Sequence, residues 1–510
     1  MKQLHKILTV CLACLLTLTI LASGVSCATP AKPQETRDNP DTRLETDTQG
    51  SAAETEPEPT RLLPDLPDVT FPGEVIHCLH WTIGSEGVGG AWTPWEEIAT
   101  NVLNGETIND AIFNRNSAVE EQYEVKITTE YASNYEVVDK ILNAVSTGDD
   151  TYSFFVNRSG DIPPLWTIGA LYDLRGNDVR YIDSTKPWWN QDSLKTFTFG
   201  TVTQFAASDI LVLDKSETAV VFFSTRLQDD YGLENYYELV ESGKWTWEAL
   251  IRNAESCVKD LDGDLMMTAA DQWGSCGNRA PGEYLYVGSG LKFADIDDEG
   301  HIFTEVGSED SIDLMLAIHD DILYAPFHAN SDYLGINIPK KFMSNEIEFL
   351  FYSVKLANTL RNMESNYGIL PIPKFDEYQT RYYDHVMPDG DSVLAIPISN
   401  ENPSMTGLIL EALSAESYYT VYPAFYDTIM MGKFSRDPET RDMLKIVFDS
   451  RTYDIGPVHG LSRFIVSYAT YAAEHHGDTG FASLYQNYAN QIQSDLAEIN
   501  EKIDEWKLFS

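Results

Sequence analysis

Hydrophobic positions along the chain switch repeatedly between the period of a strand and the period of a helix. Residues 74–81, 125–129 and 152–156 have the apolar pattern of short strands. Residues 109–123 and 137–145 repeat apolar side chains along one helical face. This β-α-β-α-β order predicts a parallel sheet with helices on both faces.

A second block of alternating segments extends from about residue 211 to residue 374. It contains predicted strands at 219–223, at 347–351 and around Ile369, and predicted helices from Trp247 and at 354–363. The last third of the chain is mostly helical in pattern. We therefore predict two α/β blocks followed by a helical region.

The segment 481–506 has the clearest helical pattern of the C-terminal region. Its apolar side chains fall on one stripe, which comprises Leu484, Tyr488, Ile492, Leu496, Ile499, Ile503 and Trp506. A stripe of this kind predicts an amphipathic helix. Packing against the body of the protein explains it better than a partner site.

The first 26 residues have the three parts of a secretory signal. Lys2 and Lys6 precede an apolar run over residues 7–22, and small residues lead to Cys27. The run is about 16 residues long, whereas a bilayer-spanning helix needs about 20. A cysteine at the cleavage point indicates a lipoprotein. We expect Cys27 to be lipidated and to hold the protein on the extracellular face of the cell membrane.

Residues 27–72 are rich in Pro, Thr, Glu, Asp and Ser, and aromatic side chains are almost absent. Such a segment buries too little apolar surface to fold, so we predict a disordered tether. The remaining residues exceed one hydrophobic core and predict more than one domain. A net charge of −44 argues against nucleic acid and against lying on anionic lipid. Membrane contact is then expected through the anchor only.

Three cysteines remain beyond the signal and the anchor, and they leave two alternatives open. Cys257 and Cys276 are the nearest pair along the chain, so a single disulfide between them is one alternative. Buried free thiols, with Cys78 among them, are the default expectation.

Several segments resemble the family 1 extracellular solute-binding proteins, which serve sugar uptake by ABC importers. The resemblance covers roughly residues 74–510 and rests on the order of local motifs. These are GETINDAIFNRN (105–116), YIDSTKPWWN (181–190), VVFFSTRL (220–227), YGILPIPKFDE (367–377) and YDIG (453–456).

The resemblance implies a periplasmic-binding-protein-like α/β fold, with two lobes, a hinge and a helical C-terminal region. The chain would then divide as follows: signal peptide, 1–26; tether, 27–72; N-terminal lobe, 73–210 and 375–425; C-terminal lobe with its helical extension, 211–374 and 426–510. Ligand would bind between the lobes, outside the carboxyl ends of the strands.

Sugars present hydroxyl groups in the ring plane and an apolar face, so their sites combine charged hydrogen-bonding groups with aromatic rings. The residues that follow the predicted strands, or that the family resemblance aligns with its cleft, are the candidates. They are Trp81, Arg158, Ser159, Asp161, Trp273, Tyr284, Phe351 and Tyr352. Alternatively, Asp161 only caps a helix, Trp81 only covers the edge of the sheet, and the other aromatic side chains only pack in the core.

The segment 260–271 has the ligand spacing of a calcium loop. Its candidate ligands are Asp260, Asp262, Asp264, Met266 through its carbonyl, Thr268 and Asp271. Leu265 stands where such loops carry glycine for a sharp turn. We expect a structural calcium ion here, and the alternative is a solvated acidic turn. No cofactor is expected to be required.

No metalloprotease, nucleophile-elbow or phosphate-loop motif is present in the sequence. This absence makes an enzyme less favoured, and the family resemblance implies a monomeric binding protein, not an enzyme, with a carbohydrate ligand and the subunits of an ABC permease as partners. The competing hypothesis is a glycan-degrading enzyme or an adhesin on the same anchor.

Overall fold

The computed structural model describes residues 61–82, 95–430, 438–462 and 481–507. The predicted signal peptide, Cys27 and most of the predicted tether lie outside the described residues. The end of the predicted tether belongs to the folded body, because the backbone N–H of Leu62 donates to the Tyr419 hydroxyl and that of Phe71 donates to the Tyr123 carbonyl. The described residues from Leu62 onward form one compact unit, so the body begins before residue 73.

Two five-stranded sheets form the framework. Their strands, in chain order, are β1 (Val75–Thr82), β2 (Lys126–Ser133), β3 (Phe154–Asn157), β4 (Phe205–Ala206), β5 (Ala219–Ser224), β6 (Trp273–Gly277), β7 (His328–Asn330), β8 (Ile347–Ser353), β9 (Tyr367–Leu370) and β10 (Val393–Ala395). The first sheet has the order β2-β1-β3-β10-β4, and the second has the order β7-β6-β8-β5-β9.

The longer helices among the described residues also take their labels in chain order. They are α1 (Thr107–Tyr123), α2 (Asn134–Thr147), α3 (Trp247–Ser256), α4 (Pro281–Gly288), α5 (Glu309–Ala317), α6 (Pro403–Tyr419), α7 (Val421–Met430), α8 (Pro438–Asp449) and α9 (Phe481–Lys507). Shorter helices include Pro163–Thr167, Gln191–Thr196, Leu213–Ser216, Thr225–Tyr231, Tyr236–Glu241, Ser331–Leu334, Ile338–Met343, Leu356–Leu360 and Ile455–Val458.

The first sheet confirms the predicted β-α-β-α-β order. β1 pairs in parallel with β2 on one side and with β3 on the other. Ser133 begins α2 with a capping box, since its hydroxyl accepts from the backbone of Glu136 and the Glu136 carboxylate accepts from the backbone of Ser133. β10 returns late in the sequence and pairs antiparallel with β3 and β4.

The second sheet contains the strands predicted at 219–223, at 347–351 and around Ile369. β6, β7 and β8 run parallel to one another, and β5 pairs antiparallel with both β8 and β9. The helix predicted from Trp247 is α3, and Thr246 caps it, because its hydroxyl accepts from the backbone N–H of Ala249. The segment Asp384–His385 pairs in parallel with Arg451–Thr452 and forms a separate two-stranded sheet.

The helical C-terminal region contacts elements of both α/β blocks. α6 and α7 pack against α1, and α8 packs against β9. The predicted amphipathic helix is confirmed as α9, which buries Ile492, Leu496, Ile499 and Ile503. Among the described residues, no helix is both long and apolar enough to cross a membrane.

The three cysteines of the folded body are buried free thiols. Cys78, Cys257 and Cys276 each lie in the interior, and the alternative disulfide between the last two does not form. Burial raises the pKa of Cys257 and of Cys276, the latter to about 12. These thiols therefore stay protonated and pack as small apolar side chains.

Candidate functional site

A cavity of about 690 Å³ lies where segments from both sheets meet. On one side it is lined by Arg158, Gly160 and Asp161, which follow β3. On the other side it is lined by residues that follow β6 and β8. The connections between the sheets supply Glu217 and residues 387–390. The cavity thus lies at the carboxyl ends of β3, β6 and β8, as expected for a ligand site in α/β sheets.

Arg158 and Asp161 form an ion pair on the wall of the cavity. Arg158 Nε lies 2.5 Å from one carboxylate oxygen of Asp161, and Nη2 lies 3.1 Å from the other. Arg158 Nη1 also donates to the Asp389 carbonyl at 2.9 Å. Asp161 does not cap the helix that follows, since no side-chain cap is present there. The pair is therefore a charged hydrogen-bonding surface on the cavity wall.

Two aromatic rings flank the Arg158 guanidinium. Its Cζ lies 5.8 Å from the centre of the Trp81 ring and 6.0 Å from that of Tyr135. Tyr135 lines the cavity and is 70% exposed, whereas Trp81 is fully buried. These contacts help to hold the guanidinium in one position.

Trp81 and Ser159 lie behind the cavity wall and not on its surface. The Trp81 indole donates to the Ser392 hydroxyl at 3.0 Å, and the backbone N–H of Ser159 donates to Asp391 at 2.8 Å. Ser392 and Asp391 belong to the segment that leads into β10. The structure thus places these two predicted site residues where they support Arg158 and join β1 and β3 to that segment.

Tyr284 and Tyr352 line the cavity, whereas Trp273 and Phe351 do not. Trp273 is the first residue of β6, and the cavity lies beyond the last. Its indole donates to the Thr268 carbonyl at 2.9 Å instead. Phe351 precedes Tyr352 by one residue in β8, so its side chain points to the opposite face of the sheet and is buried.

An ion pair that sequence reasoning missed lies in the same cavity. Lys355 Nζ lies 2.5 Å from Glu217 Oε1, and both side chains are almost fully buried. Lys355 stands just beyond β8, so a search of the positions that follow each strand would have included it. Glu217 stands in a connection between the sheets, where no sequence pattern marked it.

Further cavity residues have no sequence signal of their own. Asn278 and Arg279 follow β6, Glu283 lies in the first turn of α4, and Asp389 lies in the connection to β10. Burial raises the pKa of Glu283 to about 7, and the charge of Asp389 adds to this effect. The cavity therefore offers donors, acceptors and both signs of charge beside tyrosine rings.

The loop predicted to bind calcium brings three carboxylates together. Ligand oxygens of Asp260, Asp262 and Asp264 all lie within 4.8 Å of one another. Asp271 closes the loop, because it accepts from the backbone of Leu261 at 2.9 Å and from that of Thr268 at 2.7 Å. Carboxylate oxygens are the donors that calcium prefers. Calcium binding at this loop stays a prediction.

Leu265 adopts the backbone conformation that the sharp turn of such a loop needs. Its φ of 69° lies in the left-handed region, and its side chain is 92% exposed. Gly263, two residues earlier, also has a positive φ of 79°. The turn thus forms without a glycine at position 265.

The fold is similar to that of several ABC substrate-binding proteins of known structure. One similar structure is an ABC substrate-binding protein from Listeria monocytogenes in complex with cycloalternan; the TM-score is 0.53 and the identity 12%, over 84% of this chain and 99% of that one. Another is the GacH receptor of Streptomyces glaucescens, described unliganded and with acarbose; the TM-score is 0.53 and the identity 13%, over 83% and 99% of the two chains.

A third similar structure is the galacto-N-biose/lacto-N-biose I-binding protein of an ABC transporter from Bifidobacterium longum. The TM-score is 0.53 and the identity 12%, over 86% of this chain and 99% of that one. No protein-family model and no curated protein matches the sequence. At these identities the likeness concerns the fold, and it confirms the periplasmic-binding-protein-like α/β architecture expected from the sequence.

Proposed function

We propose that this protein is an extracellular, lipid-anchored receptor that binds an oligosaccharide for an ABC importer. The observation that carries the proposal is the cavity where the two sheets meet. Two ion pairs, Arg158–Asp161 and Glu217–Lys355, line it beside Tyr284 and Tyr352. Planar charged groups bond to sugar hydroxyls, and tyrosine rings pack against the apolar face of a sugar.

The size of the cavity and the similar structures support the same ligand class. A volume of about 690 Å³ falls in the usual range of small-molecule sites, about 300–1,000 Å³. The three similar proteins are described with cycloalternan, with acarbose and as binding galacto-N-biose or lacto-N-biose. Cys27 would anchor the receptor to the membrane, and a permease would receive the sugar.

A thermal-shift screen against an oligosaccharide panel tests the proposal. Any sugar that raises the melting temperature is then titrated by calorimetry against the wild type and Lys355→Ala. We expect the variant to bind at least tenfold more weakly, because it removes a charged donor from the cavity lining. Arg226→Ala is the control, since Arg226 is exposed and lies outside the cavity.

The same samples separate a receptor from a glycan-degrading enzyme. Chromatography of each bound sugar after prolonged incubation should recover it intact. Accumulating shorter products would contradict the receptor proposal. Equal affinity in the wild type and in Lys355→Ala would show that the sugar binds elsewhere.

A further inference from the structure

A second cavity, of about 610 Å³, lies on the other side of α4. Tyr284 lines the first cavity and Tyr286 lines the second. Side chains two residues apart on an α-helix are rotated by about 200° around its axis. The side chains of Tyr284 and Tyr286 therefore leave α4 in nearly opposite directions. The two cavities have no lining residue in common. The second cavity is therefore a separate site and not an extension of the first.

The second cavity matches the first in size and in chemistry. Its cations are Lys195, Lys292 and Arg381; its carboxylates are Asp192, Asp295, Glu305 and Asp310; its aromatic residues are Tyr286, Phe303 and Tyr383. The first cavity also has three cations, four carboxylates and three aromatic residues. With both signs of charge present, neither a strong anion nor a strong cation is favoured. A neutral ligand with many hydroxyl groups uses both kinds of partner.

A stacked pair supplies a flat binding surface in this cavity. The Arg381 guanidinium carbon lies 4.6 Å from the centre of the Tyr383 ring. The ring is also packed against Gly290, where even a Cβ atom would lie only 3.0 Å from it. Arg381 Nε donates to the Tyr382 carbonyl, and within the described residues its terminal nitrogens donate to no protein acceptor. They remain available to a ligand.

Residues around this pair complete the surface. Phe303 is 40% exposed on the hairpin formed by Asp295–Ile296 and Ile302–Phe303. Lys195 is exposed at the end of the short helix Gln191–Thr196 and has no ion-pair partner among the described residues. An exposed ring and free donors converge on one concave site, which is what recognition of a sugar requires.

We propose that this second cavity is an additional carbohydrate-binding site, with Arg381, Tyr383 and Phe303 as its recognition surface. The experiment uses the full mature chain carrying Tyr352→Ala and Lys355→Ala, which disable the first cavity. Maltotetraose, cycloalternan, lacto-N-biose and mannotetraose are the probes, each titrated to millimolar concentration.

The disabled chain should still bind at least one probe. Adding Arg381→Ala to it should weaken this residual binding at least tenfold, and adding Phe303→Ala in place of Arg381→Ala should have the same effect. Adding the matched surface change Arg226→Ala should leave it unchanged. Both test residues are exposed, so these variants should fold. The proposal is overturned if the disabled chain binds none of the probes. It is also overturned if neither Arg381→Ala nor Phe303→Ala changes the residual affinity. A failure of the first cavity appears separately, as equal binding by the wild type and the disabled chain.

Discussion

Arg158 and Asp161 form a bidentate ion pair, in which the guanidinium donates two hydrogen bonds to the two oxygens of the carboxylate. Their spacing of three residues and the short helical turn Ser159–Asp161 bring them together. Asn134 also donates to Asp161 at 3.1 Å. The pair is thus fixed before any ligand arrives, so less conformational entropy is lost on binding.

This arrangement predicts that breaking the pair weakens sugar binding even when Arg158 is kept. Asp161→Asn should free the guanidinium from its bidentate partner, and Arg158→Ala should remove the donors altogether. Charge-assisted hydrogen bonds contribute about 1.5–3 kcal/mol, which corresponds to roughly 10- to 100-fold in affinity. Calorimetric titration measures the loss. Unchanged affinity in both variants would place the ligand away from this wall.

Binding is also expected to draw the two sheets together. The cavity lies where segments from both sheets meet, and Glu217 stands in one of the connections between them. A ligand that contacts both sides favours the closed arrangement. Small-angle scattering should show a smaller radius of gyration with a bound sugar. A sugar that raises the melting temperature but leaves the scattering curve unchanged would argue for a rigid site.

The sequence predicted the elements well because periodicity is a local property. Strands β1, β5 and β8 and helix α9 each bury a face that the apolar pattern shows directly. The body begins earlier than expected because the segment from Leu62 to residue 72 is held by contacts with Tyr419 and Tyr123. Those contacts span long sequence distances, which composition does not reveal.

The site was only partly predictable, for a related reason. Arg158, Asp161, Tyr284 and Tyr352 follow strands or lie near strand ends, and they do line the cavity. Trp81 is turned inward by a hydrogen bond to Ser392, a residue more than 300 positions away. Which side of a sheet an aromatic side chain covers depends on such tertiary partners.

Stability should fall as the pH rises, because a buried carboxyl group holds its proton in the folded state. Burial raises the pKa of Glu348 to about 8, and Tyr236 donates to it at 2.8 Å. In the unfolded state the pKa of a glutamate is about 4.3. The folded state therefore holds the extra proton between these values, and its stabilising effect is lost as pH rises through about 8.

Glu348→Gln tests this pH dependence, since the amide is neutral at every pH. The melting temperature of the variant minus that of the wild type should be larger at about pH 8.5 than at about pH 5.5. The expected increase in this difference is on the order of 2 °C or more. Glu299→Gln is the control, because Glu299 is exposed. Parallel pH profiles for wild type and Glu348→Gln would contradict the assignment of the proton to Glu348.

The lipid anchor gives a prediction outside the described residues. Cys27→Ser removes the lipidation site and leaves the apolar run at residues 7–22 intact. We expect the variant to be released into the medium, measured by fractionation and immunoblotting. Retention of the variant in the membrane fraction would mean that the apolar run itself holds the protein there.

Calcium provides the last prediction. Three carboxylates of the 260–271 loop lie within 4.8 Å of one another. A backbone hydrogen bond from Asp264 lowers the pKa of Asp262, but desolvation and the charges of its neighbours together raise it. A cation would relieve this repulsion, and an ion bound only to the folded state stabilises it by about RT ln(1 + [L]/Kd).

Chelation should therefore lower the melting temperature of the wild type, and Asp262→Ala should abolish that sensitivity. Asp298→Ala, a change at an exposed aspartate of another loop, should preserve it. Identical melting curves with and without chelator, in metal-stripped buffer, would make this loop an ordinary acidic turn.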